Sequence, residues 1–243
     1  HDDVIDQASV RRNRDAVHVR WSNKISVLSG DYLLSSALKI IVNYQDWRLM
    51  EIVVNIVENM ATGEIEQAFA DTSSSGLEEA YFRWIGKKSA AFFAGCCQAG
   101  SLLGGEGQDD QEAWSKFGYN LGIAFQLIDD LLDYTGKREV TGKPQYSDLS
   151  NRVITLPLIR TISLLQPGDH SIQLLFSNEA MSEEQISKLA GIVTQGEGLA
   201  YTRKAAEDYL LLASQAINEI DEVSREKKVL LESVMQDLLL RKH

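Results

Sequence analysis

FQLIDDLLDYTG, residues 125–136, is the stretch on which the fold turns. At about 100° per residue of helix, Gln126, Asp129, Asp130 and Asp133 fall on one narrow stripe, with Gly122 on the same side. Ile123, Phe125, Leu127, Ile128, Leu131 and Leu132 fill the rest of the circumference. A helix apolar over most of its surface is buried, so its acidic stripe must face a polar cavity or bound cations. Buried without partners, these carboxylates would be strongly destabilising or would take up protons.

The same spacing opens the chain. HDDVIDQASVRR, residues 1–12, carries Asp2, Asp3 and Asp6 and then Arg11 and Arg12. Taken alone, such a run reads as a solvated acidic face. Its recurrence on an apolar helix implies a cavity lined by carboxylates from two elements. Asp oxygens are hard ligands suited to Mg²⁺, which keeps several waters and binds through one or two carboxylates plus a substrate phosphate. No Cys/His cluster offers a zinc site, and His1, as a lone histidine, is more readily packed or exposed than ligating. The basic residues near the acids, Arg11, Arg12, Lys87, Lys88 and Lys143, are each an ordinary surface charge alone. Together they describe a diphosphate held between metal ions and cationic side chains.

The rest of the chain bounds the architecture. It has 243 residues, 44% hydrophobic and 24% charged, with only 3 prolines. Long runs rich in Leu, Ala, Glu and Lys read as helix. Helices are expected at 17–44, 47–69, 77–103, 109–135, 155–165, 182–194, 199–222 and 226–241, with no strand and no repeat. Loops at 71–76 and 164–171 interrupt them, but no linker separates two halves. One all-α domain over 1–243 is the economical reading. Because the chain starts at His1, inside a motif and without Met, its N-terminal helices are expected to be missing. SAAFFAGCCQAGSLLGG (89–105) falls short of the roughly 20 apolar residues of a membrane span and reads as a buried core helix. A net charge of -11 argues against a nucleic-acid partner. Cys96 and Cys97 are adjacent and cannot staple distant segments, which points to a reducing, cytoplasmic setting.

With these residues in view, the chain resembles the trans-isoprenyl diphosphate synthases, or polyprenyl synthetases. The resemblance rests on DDVID…RR, on FQLIDDLLDYTG…GKP…SDL…TLPLI, and on NKISVLSGDYLLSSAL (23–38), GEIEQA (63–68) and KKSAAFFAGCCQAG (87–100). It runs the length of the chain with its motifs in order. RWSNKISVLSGDYLL is closest to medium- and long-chain members, such as the large catalytic component of heptaprenyl and hexaprenyl synthases.

The resemblance implies an all-α antiparallel helical bundle around a deep central pocket, the isoprenoid synthase fold. The two aspartate motifs would face each other across the pocket mouth and bind three Mg²⁺ ions with the allylic diphosphate. Carried over, Asp2, Asp6 and Asp129 are the principal ligands, and Asp3, Asp130 and Asp133 assist or act through water. Arg11, Lys88, Ser89, Gln126 and Lys143 match positions that hold the allylic diphosphate, with Lys88 and Gln126 nearest the chemistry. Arg12 matches a contact to isopentenyl diphosphate. The expected reaction is ionisation of the allylic C–O bond and attack on the cation by isopentenyl diphosphate, giving a linear all-trans product. A dimer through the helices at 17–44 and 47–69 is expected, either homomeric or with a small regulatory subunit. An aliphatic wall at Ile52, Val53, Ile56, Val57 and Met60 suggests a hexaprenyl to octaprenyl product, the size of a respiratory quinone side chain.

Two departures from the family pattern stand out. The Gly-Gly-Lys-Arg segment and upstream His that hold isopentenyl diphosphate in the family precede His1. Where many members have lysine, two positions before the Thr of TLP, this chain has Val153, with Arg152 beside it. The alternatives are a short-chain farnesyl or geranylgeranyl synthase, a terpene cyclase, and a non-catalytic partner subunit. The intact second acidic motif speaks against the cyclase, and the presence of all six aspartates speaks against the subunit.

Overall fold

A computed structural model describes residues 1–11, 14–70, 76–136, 145–165, 181–220 and 225–241. Arg12 and Lys143, both expected site residues, lie outside them. The chain opens with a short turn of helix, α1 (Asp2–Ile5), and a two-residue antiparallel ladder, β1 (Val10–Arg11) against β2 (Arg14–Asp15). This ladder corrects the expectation of no strand. It is too short for alternation to announce it. The helix expected over 17–44 is divided into α2 (Val17–Arg20) and α3 (Asn23–Val42). Ser22 lies between them in extended conformation, and its hydroxyl accepts from Ile25 N to start α3 afresh.

Then come α4 (Trp47–Ala68), α5 (Leu77–Ile85), a π-helical turn (Gly86–Ala90), α6 (Ala91–Gly104) and α7 (Gln108–Thr135). After these follow α8 (Ser147–Ser150), α9 (Leu156–Leu164), α10 (Glu183–Gln195), α11 (Gly198–Asn218) and α12 (Arg225–Leu240). Local chemistry sets the ends. Asp46 caps α4 by accepting from Arg48 N, and α6 stops at Gly105 with φ 81°. Proline stands in the first turn of α9, and Ser182 with Gln185 forms a capping box on α10.

α7 is the central helix, packed along α6 on one side and α11 on the other. Ile123, Leu127, Ile128 and Leu131 are buried in a core shared with Tyr81, Trp84, Phe117, Leu156, Ala206 and Leu210. Each such side chain contributes roughly 2 kcal/mol of burial. The apolar wrap of 125–136 therefore does bury the helix. A smaller cluster of Tyr134, Leu149, Leu158, Leu189 and Val193 joins the end of α7 to α8, α9 and α10. Leu49 and Ile52 of α4 meet Leu102 of α6 in a third.

Two glycines permit the approaches that build the site. A Cβ on Gly122 would sit 2.7 Å from Ala90 Cα, so α7 can lie against the π turn only without one. A Cβ on Gly63 would lie 2.7 Å from Lys88 N and 2.9 Å from Trp84 O, which brings α4 equally close to the same turn. α3 is different in character. Ser26 is its buried residue, while Ile25, Leu28, Leu33 and Ile40 are exposed. By length and composition alone it is apolar enough to cross a membrane.

Candidate active site

The π turn is the hinge of the site. Inserting a residue into the helical repeat rotates the side chains that follow, a feature found often at functional positions. Here it directs Lys88 and Ser89 to two different partners. Lys88 Nζ lies 2.6 Å from Glu64 Oε2 and donates to Gln67 Oε1 at 3.2 Å, both on α4. Its charge also acts on Asp6. Ser89 Oγ turns towards α7 and donates to Gln126 Oε1 at 2.7 Å. One short segment thus joins α4 to the second acidic motif.

Asp2, Asp3 and Asp6 gather around α1. His1 ties this segment to α3, its Nε2 lying 3.0 Å from Val27 O and 3.0 Å from Asp31 Oδ1. His1 and Asp31 are both exposed. Asp3 Oδ1 accepts from Arg11 Nε at 2.8 Å, with Arg11 Nη2 at 2.7 Å. This partly exposed pair is worth ~1 kcal/mol or less. Asp6 lies at the solvent edge. The protein around it raises its carboxyl above the ordinary range, and Glu64 and Asp2 add to this while Lys88 and Arg11 oppose it. Burial is the largest of these influences, and Lys88 is the strongest of the charges around it.

The second motif is divided by its surroundings. Asp129 is half-exposed, and its nearest cation is Arg241 Nη1 at 3.9 Å; the Arg241 guanidinium also stands 5.4 Å from the Phe125 ring centre. Asp130 is buried. Its Oδ2 accepts from Tyr81 Oη at 2.5 Å and its Oδ1 from Gln126 Nε2 at 2.9 Å. Burial pushes its carboxyl up to about 7, against the pull of those two hydrogen bonds. Asp133 faces α8: Oδ1 accepts from Ser147 N at 2.9 Å and Ser147 Oγ at 2.7 Å, and Oδ2 from Asp148 N at 3.1 Å. It anchors the chain re-entering after the segment that carries Lys143.

The stripe of four residues therefore has three directions: Asp129 outward, Gln126 and Asp130 inward, Asp133 to α8. Among the described residues no three Asp, Glu, His or Cys converge as a metal-holding group. Hard oxygens suited to Mg²⁺ remain on Asp2, Asp6 and Asp129. Asp130 and Asp133 have theirs committed to protein donors. Arg152 and Val153 are half-buried between α8 and α9. An open cavity of about 520 Å³, lined by Arg14, Asp15, Arg20 and Trp21, adjoins the β ladder and includes none of the expected site residues.

The sequence reading missed Tyr81, Glu64, Gln67 and Arg241. Glu64 and Gln67 lie within GEIEQA, but nothing local gives them roles. Tyr81 is far from Asp130 in sequence, and Arg241 meets Asp129 only through the fold.

The polyprenyl synthetase family model matches residues 1–193. Heptaprenyl diphosphate synthase component 2 of Bacillus subtilis is 30% identical over 220 residues, covering 90% of this chain and 62% of the relative. A probable mitochondrial hexaprenyl pyrophosphate synthase of Neurospora crassa is 32% identical over 248 aligned residues, covering 98% and 54%. The chain thus spans between about half and two thirds of these relatives. A crystal structure of a polyprenyl synthase from Caulobacter crescentus, complexed with calcium and isoprenyl diphosphate, superposes with a TM-score of 0.92 at 30% identity, covering 100% of this chain and 74% of that one.

Proposed function

The chain belongs to the polyprenyl synthetase family, and from that premise we propose that it is a trans-polyprenyl diphosphate synthase. It would condense isopentenyl diphosphate with an allylic diphosphate to give a linear product of hexaprenyl to octaprenyl length. The observation that carries this reading is the π turn, from which Lys88 pairs with Glu64 on α4 while Ser89 donates to Gln126 on the acidic stripe of α7.

Asp2, Asp6 and Asp129 would hold Mg²⁺, three ions by the family resemblance. When bound, the metal supplies positive charge that stabilises the departing diphosphate. The chain's own groups do the rest. Lys88 and Arg11 neutralise the allylic diphosphate as its C–O bond ionises. Gln126, fixed between Ser89 and Asp130, orients it. Aliphatic and aromatic walls exclude water that would quench the cation as an alcohol. The double bond of isopentenyl diphosphate attacks the cation, and the released diphosphate accepts the proton, so no side-chain nucleophile is required.

A protein partner fits the exposed apolar face of α3. We assign that face to a second copy of the chain. The name of the B. subtilis relative, a numbered component, keeps a small regulatory subunit as the other outcome.

The test is incubation of the protein with isopentenyl and farnesyl diphosphates and Mg²⁺, with and without chelator. A linear polyprenyl product that disappears on chelation is expected. Asp2→Ala and Asp129→Ala should each lower turnover by roughly 10²-fold or more, with helical content retained. Near-normal turnover in either variant removes the metal assignment, and a cyclic hydrocarbon product removes the synthase reading.

A further inference from the structure

The second acidic motif has three carboxylates and one of them is deeply buried. Asp130 is 3% exposed. Each of its oxygens receives a donor, Tyr81 Oη from α5 and Gln126 Nε2 from one turn earlier on α7. Gln126 in turn accepts from Ser89 on the π turn. The donors run in one direction: Ser89 to Gln126, Gln126 to Asp130, with Tyr81 closing on the other oxygen. Tyr81 is itself 1% exposed and edge-packed on Phe82 and Trp84, ring centres 5.4 Å and 5.7 Å away. It cannot swing aside without opening the core.

We propose that Asp130 is a positioning residue and not a metal ligand, and that with Tyr81 it forms a buried relay fixing the Gln126 amide and, through Ser89, the π turn that carries Lys88. This rests on the synthase reading above and assigns Tyr81 its part in it. The amide direction is the essential point. Both Asp130 oxygens accept, from Tyr81 Oη and from the Gln126 NH₂, so Oε1 of Gln126 is left for Ser89. An amide in place of the carboxylate accepts on one side only and presents a donor on the other, so one bond of the chain, to Tyr81 or to Gln126, must reverse or break. Two of the three acids in the motif thus belong to the scaffold, Asp130 through this relay and Asp133 through α8. Asp129 alone remains for a cation.

Five proteins test this: the parent, Asp129→Asn, Asp130→Asn, Tyr81→Phe and the double variant carrying Tyr81→Phe with Asp130→Asn. Mn²⁺ binding is read by the free-ion electron spin resonance signal, and kcat and the allylic KM by single-substrate series. Asp129→Asn should weaken Mn²⁺ binding at least ~10-fold, whereas Asp130→Asn and Tyr81→Phe should stay within about twofold of the parent. Both relay variants should raise the allylic KM by roughly tenfold. The double variant should match Asp130→Asn alone, because both changes break one chain of bonds. Loss of Mn²⁺ affinity in Asp130→Asn equal to that of Asp129→Asn would overturn the proposal, as would an unchanged KM in Tyr81→Phe. Should Asp130→Asn fail to fold, Tyr81→Phe, which keeps the ring, decides alone. A parent without turnover counts against the synthase reading, but the Mn²⁺ comparison needs no turnover and still separates Asp130 from Asp129.

Discussion

At the scale of single residues the chain shows how burial divides like groups into unlike roles. Asp129 and Asp130 are neighbours of the same type, one half-exposed beside Arg241 and one sealed beneath Tyr81. The buried one has a pH signature. Its carboxyl is raised from 3.8 to about 7 in the fold, first by burial. A folded group with a raised value binds protons more tightly than the unfolded chain. Its contribution to stability is therefore full below about pH 4 and is lost as pH rises through about 7. Asp130→Asn does not titrate. In metal-free protein the variant should be the less stable at about pH 5 and should regain ground towards about pH 7.5, by up to ~1.4 kcal/mol per pH unit. Urea unfolding of both proteins at the two pH values measures this. A stability difference that does not change with pH would show that Asp130 stays ionised throughout.

At the scale of elements, most of the fold was legible and the reason is periodicity. Apolar residues recur at helical spacing in α4, α7, α9, α10 and α11, and each forms within a few residues of its expected bounds. Besides the short ladder and the one-turn helices α1 and α8, two features escaped. The break between α2 and α3 hangs on one hydroxyl cap at Ser22, which apolar patterning does not register. The π turn leaves the apolar pattern of 77–103 almost intact, yet it decides where Lys88 and Ser89 point. The site was legible by composition but not by direction. A stripe on α7 identifies Asp129, Asp130 and Asp133, whereas their partners Arg241, Tyr81 and Ser147 come from distant segments. The approach of α4 to the π turn can be tested at Gly63. Its Cβ would meet backbone, Lys88 N at 2.7 Å, and backbone cannot step aside as a flexible side chain can. Gly63→Ala should cost roughly 1–3 kcal/mol and slow turnover by disturbing the Lys88 contacts to Glu64 and Gln67. Gly100→Ala, where nothing lies within 4 Å, should be neutral or stabilising by up to ~1 kcal/mol. Thermal unfolding compares them, and equal melting points would deny that α4 and the turn touch so closely.

The whole molecule leaves two apolar surfaces to explain, one outside and one within. Outside, Leu33 is 67% exposed, Ile40 60% and Leu28 51% on a single helix, more apolar surface than a stable monomer ordinarily presents to water. Light scattering after size exclusion should therefore give about twice 27.1 kDa, and Leu33→Glu should move the protein towards the monomer. A parent that is monomeric at micromolar concentration with full activity would reassign α3 to another partner. Within, the proposed reaction would lay the growing product along walls built by α4 and its neighbours. Ile52 belongs to the cluster with Leu49 and Leu102, and Ile56 lies over Gly95, so both are structural packing. Val53, Val57 and Met60 are half-buried, and from Arg48 to Ala68 no aromatic ring closes the path. Each CH₂ of a tail buried along such a wall gains roughly 0.8 kcal/mol, so elongation stays favourable until a bulky side chain stops it. Chromatography of the dephosphorylated product should show hexaprenyl to octaprenyl alcohols, and Met60→Phe should shorten them by placing a ring in the path. A parent that stops at farnesyl or geranylgeranyl would mean the stop lies on another element. An unshortened product from Met60→Phe would place the tail away from this face of α4.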